Sequence, residues 1–235
     1  MMNAEPPATR YPDVDGLSRE LARQVAAELS AAVASRGEAA LVVSGGRSPI
    51  KFFEQLRAQP LDWSRVRILP ADERWVDPSN QASNERLIRD VLLKDAAASA
   101  RFTGLKNDAP TPDLGAAPAW QAVADAPRPF DVVVLGIGDD GHTASLFPGS
   151  PNLAAALDPR AAAACVGMIS PTAPQARLSL NLAALLDSRR IVILITGESK
   201  WLTYSAACGP GAEAQMPVRA VLRQRRVPVD VVWSP

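Results

Sequence analysis

The chain of 235 residues is short of the side chains that build metal and disulfide frameworks, with one histidine and two cysteines, Cys165 and Cys208. Two cysteines and no CxxC pair exclude a disulfide scaffold, and a single imidazole leaves too few ligands for a His/Cys metal site. Excess charge of either sign is missing as well. Lys and Arg number 25 against 25 Asp and Glu, so the formal net charge is zero. That balance lacks the basic footprint of a nucleic-acid binder. Long apolar runs are absent: stretches such as 132–135 and 191–195 with their neighbours fall far short of the roughly 20 residues of a membrane span. Residues 1–12 are polar and contain proline, without the apolar core of an export signal, so the cytoplasm is the expected location.

What is present is an ordinary globular composition, 47% hydrophobic and 21% charged. Proline is enriched, at 21 residues or about 9% against a usual value of about 5%, which points to many rigid turns. There is no internal repeat and no low-complexity linker, and 1–235 is expected to form one α/β domain.

Two kinds of segment alternate along the chain. Residues 40–44, 66–69, 130–135, 164–169, 190–196 and 229–233 are predominantly apolar, without the regular in/out alternation of a half-solvated sheet, the pattern of parallel strands covered on both faces. Between them lie helical patterns. Leu17, Leu21, Val25 and Leu29 recur at four-residue spacing, and 50–56, 84–93, 120–125, 181–186 and 199–207 read as shorter helices. The stretch 106–118, with Pro110, Pro112 and Pro118, reads as a surface excursion. The alternation predicts a Rossmann-like, doubly wound, mostly parallel sheet with helices on both faces. Ligands of such sheets bind beyond the carboxyl ends of the strands.

Four strand ends are chemically unusual. Ser44-Gly45-Gly46-Arg47-Ser48-Pro49 leads into a helix, where free N–H groups, two hydroxyls and a guanidinium suit a phosphate. The same residues also suit a plain tight turn capped by Ser48. Asp72-Glu73-Arg74 is either an acid/base and anion-binding set or a solvated loop, and Ser83 or Asn84 downstream reads as a helix cap. Gly136-Ile137-Gly138-Asp139-Asp140-Gly141-His142 spells the dinucleotide pattern G-x-G-x-x-G. Two aspartates would face the pyrophosphate, and Pro148 and Pro151 would interrupt the helix that should follow, so that reading fails. What remains is a loop presenting the only imidazole, His142, two residues after Asp140, a base with a carboxylate to orient it. Finally, Lys200 follows a glycine turn early in a helix, with Arg177 upstream.

Taken in order, SGGRSP, DERWV with SN, GIGDDGHTASLFP, RLSLN and GESK resemble the 6-phosphogluconolactonase family, part of a superfamily shared with glucosamine-6-phosphate deaminase. The resemblance runs from about Leu41 to Lys200 and implies hydrolysis of a sugar-phosphate lactone without metal or organic cofactor. Carried over, it implies that Ser44, Gly45, Gly46 and Ser48, with Arg177 and Lys200, bind the phosphate. Arg47 departs from the small hydroxyl residue of many relatives and adds positive charge there. Asp72, Arg74, Asp140 and His142 would line the reacting end. The deaminase pattern has a glutamate where this chain has Phe147, before Pro148, and an apolar ring cannot relay a proton. The alternatives are a deaminase-like sugar-phosphate isomerase and a non-catalytic sugar-phosphate sensor. The expected partner is the small-molecule substrate alone, with no nucleic acid or membrane, for a monomer or small homo-oligomer.

Overall fold

A computed structural model of the chain describes residues 8–171 and 175–235; the first seven residues, part of the segment read above for an export signal, lie outside them. In chain order the strands are β1 (Ala8–Arg10), β2 (Ala39–Val43), β3 (Val66–Pro70), β4 (Asp72–Arg74), β5 (Arg101–Phe102), β6 (Val132–Leu135), β7 (Cys165–Met168), β8 (Arg177–Leu180), β9 (Ile191–Thr196) and β10 (Val229–Ser234). The helices are α1 (Val14–Arg36), α2 (Ile50–Leu56), α3 (Asn84–Leu87), α4 (Pro112–Ala124), α5 (Leu153–Ala156), α6 (Leu182–Leu185), α7 (Glu198–Cys208) and α8 (Val218–Arg223).

Seven strands form one parallel sheet in the order β1-β10-β9-β6-β2-β3-β5. Apart from the edge strand β1, this is the doubly wound order in which the chain first builds outward from β2 through β3 to β5. It then returns to β6 on the other side of β2. The reversal opens a crevice between the carboxyl ends of β2 and β6, the place where such sheets bind ligands. Strands β2, β6 and β9 are buried on both faces, as their unbroken Val, Leu and Ile content requires.

Two apolar layers cover the sheet. On one side Leu17, Leu21, Val25 and Leu29 of α1 are sealed from solvent with Phe52 and Phe53 of α2. Each such side chain contributes about 1.5–3 kcal/mol of burial. Asp13 starts α1 by accepting from the Gly16 N–H at 2.6 Å. On the other side Tyr204 and Ala207 of α7 and Val218 and Val221 of α8 pack against β6 and β9.

Three expectations need correction. The apolar run at 164–169 does form a strand, β7, but in a separate antiparallel sheet of order β4-β8-β7. A short apolar run fixes burial and leaves the strand's partner open. The surface excursion of 106–118 instead contains the start of α4, capped by the Thr111 hydroxyl, which accepts from the Leu114 N–H. Pro112 stands in the first turn, where no N–H is needed, and Pro118 inside the helix forfeits one backbone bond. The helix of 84–93 is α3 followed by a π-helical turn over Ile88–Leu92. No helix among the described residues is long and apolar enough to cross a membrane.

Candidate active site

At the crevice between β2 and β6 lies a cleft of about 350 Å³. Its walls include Ser44, Gly45, Gly46 and Arg47 from the loop after β2, and Gly136 to Asp139 with His142 from the loop after β6. Asp72 and Arg74 come from β4, Arg177 from β8 and Lys200 from α7. Ten of the eleven residues singled out in the sequence therefore meet at one opening or, for Asp140, bond directly to a wall residue. Ser48 lines a smaller adjoining pocket that shares Ser44, Arg47 and Lys200 with the cleft. Its hydroxyl is paired with Thr196 Oγ1 at 2.9 Å, and it does not cap α2, which begins behind Pro49 without a side-chain cap.

The histidine is held by its own loop. The Gly138 N–H donates to the His142 carbonyl, the Gly141 N–H to the Gly138 carbonyl, and the Thr143 hydroxyl to the Gly136 carbonyl, each at 2.9 Å. Within this turn the Asp140 carboxylate accepts from the His142 N–H at 3.0 Å and contacts His142 Nδ1 at 2.5 Å. A carboxylate on Nδ1 keeps the proton there and leaves Nε2 as the basic nitrogen. Burial pushes the Asp140 carboxyl up, but the hydrogen bonds and charge of His142 outweigh it and hold the acid below its ordinary range. The ring needs room to fold back, and a Cβ on Gly138 would lie 2.1 Å from the imidazole. Phe147 packs against it with the two rings tilted by 48° and their centroids 4.5 Å apart.

The second wall is built by the small sheet. Pairing of β4 with β8 sets Arg74 directly opposite Arg177 and Asp72 opposite Ser179. Like charges in register repel, and sheets normally avoid them. Burial lowers the affinity of the Arg177 guanidinium for its proton, and Arg74 lowers it further, while Asp72 and Glu73 act the other way. The Nε atoms of both arginines are buried without a partner among the described residues. Arg177 also lies over the Phe147 ring, 5.6 Å from its centroid. Lys200, half-buried, is pulled below the ordinary lysine value by burial, with Arg47 adding to the shift and Asp139 opposing it. Such a set of incompletely neutralised cations is what an anionic ligand requires.

Asp72 is nearly inaccessible; its Oδ2 accepts from Ser145 Oγ at 2.5 Å. Glu73, pointing the other way from β4, stood in the Asp72-Glu73-Arg74 set but was given no role of its own. Its carboxylate accepts from the backbone N–H groups of Arg74, Asn84 and Glu85, each at 2.7 Å, and from Ser83 Oγ at 3.1 Å. Burial nonetheless raises its carboxyl above the usual range, with Asp72 adding to the rise and the three N–H donors opposing it. Ser83 caps α3 by accepting from the Arg86 N–H. Asn84, Ser170 and Phe147 also line the cleft and were missed as site residues. Only the SN pair of the resemblance hinted at Asn84. Among the described residues no cluster of three or more His, Cys, Asp or Glu side chains is placed to hold a metal ion.

Known proteins resemble this chain in sequence and fold. Residues 12–233 match the family model described as glucosamine-6-phosphate isomerases/6-phosphogluconolactonase. The chain belongs to that family. It is 47% identical to a 6-phosphogluconolactonase of Pseudomonas aeruginosa over 93% of this chain and 90% of the relative. It is 44% identical to one from Rhizobium meliloti, over 96% and 97% respectively. The crystal structure of a 6-phosphogluconolactonase from Shewanella baltica superposes with a TM-score of 0.95 at 45% identity, covering all of both chains. In this family member the switch-point cleft thus combines a carboxylate-held imidazole with a cationic wall.

Proposed function

We propose that the protein is a 6-phosphogluconolactonase: it hydrolyses 6-phospho-D-glucono-1,5-lactone to 6-phospho-D-gluconate, the second step of the oxidative pentose phosphate pathway. The observation that carries the reading is the Asp140–His142 pair standing in a cleft whose other walls hold Arg47, Arg74, Arg177 and Lys200. The relatives at 47% and 44% identity carry the same activity in their names. The protein acts as one α/β unit in the cytoplasm, as a monomer or small homo-oligomer, on a small-molecule substrate alone.

The phosphate binds at Ser44, Gly45, Gly46, Arg47 and Ser48, with Lys200 and Arg177 supplying charge. Anchoring at that end holds the lactone carbonyl near His142, and orientation of this kind removes much of the entropic barrier. His142 Nε2 takes a proton from water as the water oxygen bonds to the carbonyl carbon, and the C=O electron pair moves onto oxygen. Arg74 and backbone N–H groups of the loop after β6 stabilise that oxyanion, one such donor being worth about 100- to 1,000-fold. When the pair returns, the bond from the carbonyl carbon to the ring oxygen breaks, and the imidazolium gives its proton to that oxygen. The carboxylic acid product then ionises, releasing one proton to solvent. Asp140 keeps Nδ1 protonated throughout, and Asp72, locked by Ser145, offsets the arginine pair.

The test uses freshly generated lactone with spontaneous hydrolysis subtracted. Wild type is expected to turn over, and His142→Ala to lose about 100-fold or more in kcat. Activity within a few-fold of wild type would remove His142 from the role of base.

A further inference from the structure

We infer that Asn84 is a specificity residue, its side-chain oxygen accepting a hydrogen bond from one ring hydroxyl of the sugar lactone; this deepens the lactonase reading and rests on it. Asn84 is 2% exposed and lines the cleft. Its amide cannot be turned round: Nδ2 donates to the Asp72 carbonyl at 2.8 Å and faces Asp72 Oδ1 at 3.4 Å, both acceptors. Oδ1 therefore points away from them, buried, with no partner among the described residues. A buried acceptor left unpaired is costly, and native proteins keep one where something else completes it.

The surroundings define what completes it. Oδ1 lies against Gly45, where an added Cβ would lie 1.9 Å away, so it sits beside the loop after β2 at a place where both residues line the cleft. The backbone of Asn84 is pinned by Glu73, so the acceptor is aimed before any ligand arrives. An amide oxygen can only accept. The phosphate dianion and the lactone carbonyl also only accept, and of the substrate's groups only the ring hydroxyls donate. The helix cap expected of this pair is supplied by Ser83, which leaves Asn84 Oδ1 for the ligand.

The experiment compares kcat/KM on the parent lactone and on freshly made 6-phosphate lactones that each lack one hydroxyl, at C2, C3 or C4. Wild type should reject one of these by about 10- to 100-fold more than Asn84→Ala does, because a site built to bond a hydroxyl discriminates against its loss. For that analogue the two proteins should agree within about threefold, since nothing remains to bond. Ratios between substrates on one preparation do not depend on the folded fraction. Gly45→Ala, which displaces Oδ1, should lose the same discrimination. An equal loss on all four lactones, or an unchanged ratio, overturns the inference alone. No turnover of the parent lactone by wild type overturns the lactonase reading and this inference with it.

Discussion

Single residues in this cleft are set by close approach. Gly138 is one: the imidazole of His142 occupies the space a Cβ would fill. Gly138→Ala is therefore expected to push the ring off Asp140 and cost about 100-fold in kcat, as loss of an oriented base does. Affinity for 6-phosphogluconate should stay within about twofold, because the phosphate donors lie on other elements. Steady-state kinetics with product titration checks both.

Lys200 is the residue where charge and fold oppose each other. Burial lowers its proton affinity, so the folded chain holds that proton less tightly than the unfolded chain. The charged side chain thus subtracts from stability at neutral pH, and the burden lifts as pH rises through the folded value. Lys200→Met should raise Tm by about 2 °C while weakening 6-phosphogluconate binding about tenfold or more. In wild type that binding should begin to fall at a pH below the ordinary lysine value of 10.5, since above the lowered value binding must take up a proton. Lys200→Arg should abolish the fall, guanidinium staying charged throughout. Calorimetric titration across pH 8 to about 10.5 reads the difference.

At the scale of elements, the small sheet and α3 hang on Glu73. A short helix makes few bonds of its own, and here one carboxylate receives its first two N–H groups. Glutamine in place of Glu73 presents one acceptor atom and one donor to a ring of donors. Glu73→Gln should cost about 1–3 kcal/mol through unpaired buried N–H groups, seen as a fall of several degrees in thermal unfolding. It should also lower activity by freeing Asn84 and Arg74.

The legible part of the fold was where burial is continuous. Strands β2, β3, β6, β9 and β10 and helix α1 declared themselves through apolar-rich runs or four-residue periodicity, which also located the loops that follow the strands. Strands β1 and β5 are three and two residues long, too short for a period to register. Strand β4 consists of three charged residues, and only its pairing with β8 makes it a strand. The end of helix α4 was legible at 120–125, but its start was hidden by prolines that sit where a helix tolerates them. The same holds in the site. Motif residues stood out because glycine, histidine and charge cluster locally, whereas the roles of Asn84 and Glu73 depend on bonds between segments 10 to 12 residues apart.

For the whole molecule, the doubly wound order brings two loops together and the small sheet closes them from a third side. Cationic groups are thereby concentrated in a protein whose formal net charge is zero. A neutral molecule has no broad field to draw an anion from a distance, so attraction arises within the cleft itself. Fields of that range are screened by salt only where they pass through water, with a Debye length of about 10 Å at 0.1 M and about 3 Å at 1 M. Arg47 is exposed, whereas Arg177 is buried and Lys200 half-buried, so the screened share belongs mainly to Arg47. Raising the salt from about 0.05 to 0.5 M should raise KM about threefold with kcat unchanged. Arg47→Ala should begin at a higher KM and flatten that dependence. A steep salt response that survives Arg47→Ala would place the accessible charge elsewhere along the cleft, and an equal fall in kcat would move the salt effect from binding to the chemical step.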